Sequence, residues 1–128
     1  MKKLLAFLIA LPIFGIAQNT VCFTIDSNPN FGDQALAPFT KYVDVLGCFS
    51  IYAESSIPDA KVLHAAAVAA ELLDNNEDGI VDDPLIEIQL TNENALMPIF
   101  SSEGSSAENI FFNNYNGDGV SAVLYKNE

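Results

Sequence analysis

Residues 59–90 read DAKVLHAAAVAAELLDNNEDGIVDDPLIEIQL, and the change of pattern at Asp74 decides how the chain is organised. From Ala60 to Leu73 there is neither Gly nor Pro, and Val62, Leu63, Ala66, Ala67, Ala70 and Leu73 recur at helical offsets. Upstream, Ser56 is available as a cap, Pro58 suits a first turn, and Asp59 sits at the positive end of the helix dipole. The alanines let such a helix approach a sheet closely. At Asp74 the periodicity stops. Asp74, Asn76 and Asp78 then place oxygen side chains on alternate residues, Gly79 follows where the chain must turn sharply, and Asp82 adds a further carboxylate. A hard cation such as calcium takes six to eight oxygens at about 2.3–2.6 Å, which this spacing can supply, with the Ile80 carbonyl as a backbone ligand. Val81 is expected to anchor the loop by its apolar side chain. Beyond it, Asp83 is a good cap and Pro84 a good first residue for a second helix reaching about Thr91.

The ten residues Asp74–Asp83 resemble the calcium loop of EF-hand and dockerin-like proteins, and their closing D-G-x-x-D is also similar to thrombospondin type 3 repeats. The resemblance implies a helix on either side, and on that ground Pro84–Thr91 is expected as a helix although Ile86, Ile88 and Leu90 alternate as a strand would. It departs from the full pattern at the twelfth position, where Leu85 stands in place of a bidentate Glu. Asp82, Asp83 and Glu87 are the nearest substitutes. The lost ligand implies an affinity in the roughly 10⁻⁴ to 10⁻³ M range of extracellular modules. A longer stretch, Tyr42 to Leu90, resembles a set of exported bacterial proteins of uncertain function, which carries no activity or catalytic residue across.

Export is expected independently. MKKLLAFLIALPIFGIAQ opens on Lys2 and Lys3, runs apolar from Leu4 to Ile16 and ends in small residues, the layout of a secretory signal peptide cleaved after Ala17. That leaves residues 18–128 as a single domain, secreted or periplasmic; the resemblance implies that longer relatives exist, of which such a domain would be the N-terminal part. Its three lysines and no arginine stand against 17 acidic side chains, a formal charge of −14, with no Lys or Arg between Lys61 and Lys126. Such a chain repels nucleic acid and anionic membrane surfaces and attracts cations. Cys22 and Cys48, in an oxidising compartment, are expected to form one bridge, closing about 26 residues and contributing on the order of 3 kcal/mol.

The remaining sequence reads as strands at Val21–Ile25, Tyr42–Leu46, Phe49–Ala53, Ala95–Phe100 and Val120–Tyr125, the second and third forming a hairpin around Gly47. Pro98 directs its strand to a sheet edge. SSEGSSAEN reads as a polar loop, and Asn114, Asn116, Asp118 and Gly119 as a hairpin turn rather than a second cation site. The lone His64, two turns from Glu71, does not make a zinc motif, and no nucleophile elbow, P-loop or dinucleotide fingerprint occurs. The expected fold is α+β: a small antiparallel sheet packed on an Ala-rich helix, with a helix–calcium loop–helix junction. The expected function is an exported calcium-binding module of structural or adhesive role, its partners calcium and an extracellular protein or glycan. The alternative is the N-terminal part of a secreted, metal-dependent hydrolase whose catalytic residues lie beyond Glu128.

Overall fold

The computed structural model describes residues 22–128, so the signal-peptide reading and Val21 lie outside the described residues. The elements are β1 (Asp26–Ser27), β2 (Lys41–Val45), β3 (Phe49–Ala53), α1 (Asp59–Leu73), α2 (Pro84–Glu93), β4 (Leu96–Phe100), α3 (Ser106–Asn114) and β5 (Leu124–Tyr125). The fold is α+β. Its single sheet has the order β1-β2-β3-β4-β5. The first three strands pair antiparallel, but β4 runs parallel to β3 and β5 parallel to β4, so the sheet is mixed and not antiparallel as expected. The cause is the length of the connections, since each of the last two strands is reached through helices and can return in the same direction.

The hairpin forms as the alternation in the sequence implies. Tyr42 pairs with Tyr52 and Val45 with Phe49, and Leu46 and Gly47 both take positive φ, 54° and 73°, in the turn. Side chains therefore sort by parity. Val43, Val45, Phe49, Ile51 and Ala53 face one way and join Val62, Ala65, Ala66 and Ala70 of α1 in the main core. Tyr52 faces the other way and joins Phe39, Phe100 and Phe111 in a second core, roofed by α3. In β4 the same rule divides Met97 and Ile99 from Leu96 and Phe100. With α1 and α3 on opposite faces and the sheet order advancing from β3 to β4 to β5, the two parallel crossovers have opposite hands. About 98% of such connections are right-handed, so one of these two departs from the rule.

Several elements differ from the sequence reading for identifiable reasons. The first strand is Asp26–Ser27, while Cys22–Ile25 makes no ladder. The N-cap of α1 is Pro58, without a side-chain cap, and Ser56 plays no such part; Lys41 holds this end instead, through Asp59 at 2.6 Å. Pro98 does not lie on an edge strand. Leu96 gives its N–H and carbonyl to the β5 side, at Gly119 and Ser121, so Pro98, two residues on, turns its missing N–H to that side too, between the bridge at Val120 and the start of β5. The presumed loop SSEGSSAEN enters α3. Ser105 accepts from the Glu108 N–H at 3.2 Å while Glu108 accepts from the Gly104 N–H, a near capping box that the S-x-x-E spacing offered and the run of serines obscured. Residues 115–119 are correspondingly a crossover and not a hairpin turn, with Gly119 wedged against the end of α2.

A Cβ at Gly119 would stand 2.4 Å from the Glu93 carbonyl oxygen and 2.5 Å from that of Asn94, both backbone, whereas one at Gly32 would meet nothing within 4 Å. Gly119→Ala is thus expected to lower stability by about 1–3 kcal/mol and Gly32→Ala to leave it within about 0.5 kcal/mol, as urea unfolding of the two variants will show.

Candidate metal centre

The loop between α1 and α2 is closed by its own acidic side chains. Asp74 is the C-cap of α1 and gives its N–H to the Ala70 carbonyl. Its carboxylate is the one buried charged group among the described residues, 3% exposed, with Oδ1 accepting from the Asp78 N–H at 3.2 Å and Oδ2 from the Gly79 N–H at 2.7 Å. Asn76 Oδ1 accepts from the same Asp78 N–H at 2.9 Å, and Asp78 Oδ1 from Ile80 N–H at 2.9 Å. Across the loop, Asp82 Oδ2 accepts from the backbone and side-chain amides of Asn75, and its Oδ1 from the side-chain amide of Asn76 at 3.1 Å. The Asp82 N–H in turn donates to the Leu73 carbonyl at 2.9 Å, tying the far side of the loop to the end of the helix.

Two left-handed residues make this curl possible. Gly79 has φ 86°, which costs glycine nothing, and Glu77 has φ 60°, which costs a side chain up to about 1–3 kcal/mol. That strain is held by the converging N–H groups and by Val81, 6% exposed and packed into the main core as the anchor reading requires. Of the expected ligands, Asp74, Asn76, Asp78 and Asp82 are therefore brought into one hydrogen-bonded web. Ile80 lies on the same loop with its side chain in solvent. Asp83 is turned to another task, its Oδ1 capping α2 through the Leu85 N–H at 2.9 Å. Leu85, at the position where a bidentate acid would close the shell, is 75% exposed.

No group of three or more His, Cys, Asp or Glu side chains among the described residues is gathered tightly enough to hold a metal ion as it stands. The physical reason lies in the loop itself: amide groups of Asn75 and Asn76 occupy the Asp82 oxygens, so ligation there requires the ion to take the place of an N–H donor. The donor set suits a hard cation nonetheless, being all oxygen and mostly anionic, with no basic side chain on the loop. In the second acidic loop, Asn114 donates to Ile110 and Asn116 to Asn114, both through side-chain amides that bind local carbonyls.

The other expected pair stands apart. Cys22 is an exposed thiol and Cys48 a buried one, unbridged. Burial foremost, then the charges of Glu87 and Asp44, pushes the Cys48 thiol above its ordinary value, which keeps it protonated at neutral pH. His64 is exposed on α1. No protein-family model matches this chain, and no curated protein and no solved structure matches it either.

Removing the Asp74 carboxylate leaves the N–H groups of Asp78 and Gly79 without their acceptor. In buffer with EDTA, Asp74→Ala is expected to cost about 1–3 kcal/mol, seen as a lower urea midpoint, while Asp118→Ala in the second loop changes it by less than about 0.5 kcal/mol.

Proposed function

We propose that this chain is an exported calcium-binding module in which one cation stabilises the junction between α1 and α2, with a structural or adhesive role. The observation that carries the reading is the loop in which Asp74, Asn76, Asp78 and Asp82 are tied into one hydrogen-bonded web, in a stretch free of basic residues. Glu71, Asp74, Glu77, Asp78, Asp82 and Asp83 crowd anionic charge at this one junction. An ion coordinated there relieves their repulsion and supplies the attraction that the internal N–H groups supply only in part. Substitution of the closing acid by Leu85 fits weak binding, matched to surroundings in which calcium is plentiful.

A strut is favoured over a switch. A sensor opens an apolar groove, commonly lined with methionines, when its ion binds. Met97, the one methionine of residues 18–128, is 7% exposed and fixed in β4 within the main core. The α1 alanines are already packed on the sheet. The export reading rests on the layout of residues 1–17, and no helix among the described residues is long and apolar enough to cross a membrane. Oxidation of Cys22 with Cys48 after export, the compartment's oxidant taking two electrons, belongs to the same proposal, and mass spectrometry of the secreted protein decides it: a mass lower than that of the dithiol by two hydrogen atoms is expected.

Calorimetric titration with calcium is expected to show about one site, weaker than a cytosolic sensor. At 100 times its dissociation constant the ion adds about 2.7 kcal/mol, which raises the melting temperature by several degrees. Asp74→Ala and Asp78→Ala are expected to abolish the response and Asp118→Ala to preserve it. Neither heat nor stabilisation up to 10 mM calcium (about the upper bound set by millimolar sites) would overturn the cation reading, and a calcium-dependent rise in apolar-dye binding would overturn the strut.

A further inference from the structure

A second site lies on the opposite face of the sheet from α1. Tyr42, Asp44, Ser50 and Tyr52 project from β2 and β3 to form the floor of a cleft of about 530 Å³, within the roughly 300–1,000 Å³ of small-molecule sites. Its walls come from three separate segments: Asn30, Asp33 and Leu36 before β2, Glu93 and Asn94 at the end of α2, and Tyr115 after α3. None of the lining residues belongs to the loop Asp74–Asp83.

The chemistry of the lining is mixed in a particular way. Three aromatic rings are held rigidly: Tyr42 and Tyr52 have centroids 5.2 Å apart, and Tyr115 stacks on Phe111 at 4.9 Å and 17°. Three carboxylates each spend one oxygen locally, Asp33 on the Ala35 N–H, Asp44 on the Gly47 N–H and Glu93 on the side-chain amide of Gln89, which leaves each a second oxygen to accept. Tyr52 provides the donor. The residue is 3% exposed, its hydroxyl oxygen accepts from the Asn30 side-chain amide at 2.7 Å, and its own proton has no acceptor among the described residues. Burial above all keeps the Tyr52 and Tyr115 hydroxyls above their ordinary pKa, hence protonated through the neutral range.

We infer that this cleft binds a neutral saccharide. A sugar hydroxyl donates and accepts at once, so it answers both the free carboxylate oxygens and the Tyr52 proton, while its C–H faces suit flat aromatic walls. An ammonium ligand leaves the Tyr52 proton unanswered. Sugar acids and phosphorylated sugars are excluded by three carboxylates and the absence of Lys and Arg from the lining. The inference does not rest on the cation reading.

The chain has four tyrosines and no tryptophan, and three of the four line the cleft, so its ultraviolet emission reports on the site. The full chain, with calcium held at one concentration (roughly millimolar), is titrated with the methyl glycosides of glucose, galactose, mannose and N-acetylglucosamine, with glucuronate, and with spermidine. Saturable emission and NMR shift changes are expected with at least one neutral glycoside and none with glucuronate. Tyr52→Phe, which removes only the hydroxyl, and Asp33→Asn are expected to weaken that binding at least about fivefold without lowering the melting temperature by more than a few degrees, the range of lost single hydrogen bonds. Tyr125→Phe, outside the cleft, is expected to leave it unchanged. No saturable response to any neutral glycoside, a response that Tyr52→Phe and Asp33→Asn leave intact, or saturation by spermidine alone would overturn the assignment. A chain that binds sugar yet ignores calcium, or the reverse, tells the two readings apart.

Discussion

The buried carboxylate of Asp74 is the constraint on which the rest of the architecture depends. It gathers the N–H groups of Asp78 and Gly79 while the Leu73 carbonyl receives that of Asp82, so the chain leaving α1 is folded back on the helix end within nine residues. This return seats Val81 in the core and aims α2 so that Ala95 and Leu96 come to lie beside Ser50. A buried charge is tolerated only where its hydrogen bonds compensate for lost water, and here two backbone donors do so. Without them the parallel pairing of β3 with β4 has no fixed starting point.

The parts of this fold that could be read in advance are those whose signal is local. Alternation about Gly47 gave the hairpin, an Ala-rich run without Gly or Pro gave α1, and Asp83-Pro84 gave the start of α2, which indeed runs from Pro84 to Glu93. Strand direction was not legible, because Leu96–Phe100 is the same apolar run whichever way it pairs. Pro98 misled for a related reason: its cost depends on which side its missing N–H faces, and that is settled by neighbours 20 or more residues away. The second core was invisible as a core. Phe39, Tyr52, Phe100 and Phe111 come from four segments with no shared spacing, and only the sheet's parity brings them together. The acidic loop was legible as a string of oxygens; that its closure uses backbone and amide N–H groups was not.

The two faces of the sheet differ in consequence. On the α1 side, small alanines allow close approach to a core that is mostly aliphatic. On the other, bulky rings hold the connecting segments away from β2 and β3 and leave a polar cleft between them. The helix between these regions is bare by comparison: α2 buries no residue completely, and Leu85, Ile86 and Ile88 are 75%, 47% and 55% exposed. Its position is therefore set at its ends, by the Asp83 cap and by Asn94 in the left-handed conformation, and by the half-buried Leu90 against the main core.

The sheet's mixed pairing also dictates an order of assembly. Val45 and Phe49 meet across three residues, a closure of microseconds, whereas Ser50 must find Leu96 across 45. Closing that longer loop costs on the order of 3 kcal/mol in chain entropy before any strand contact offsets it. The turn held by Asp74 folds part of that connection back on the end of α1, so that the chain between the two strands is shortened before they meet. The acidic loop thus lies on the longest connection between paired strands, the one that must close before β4 can offer its free edge to β5.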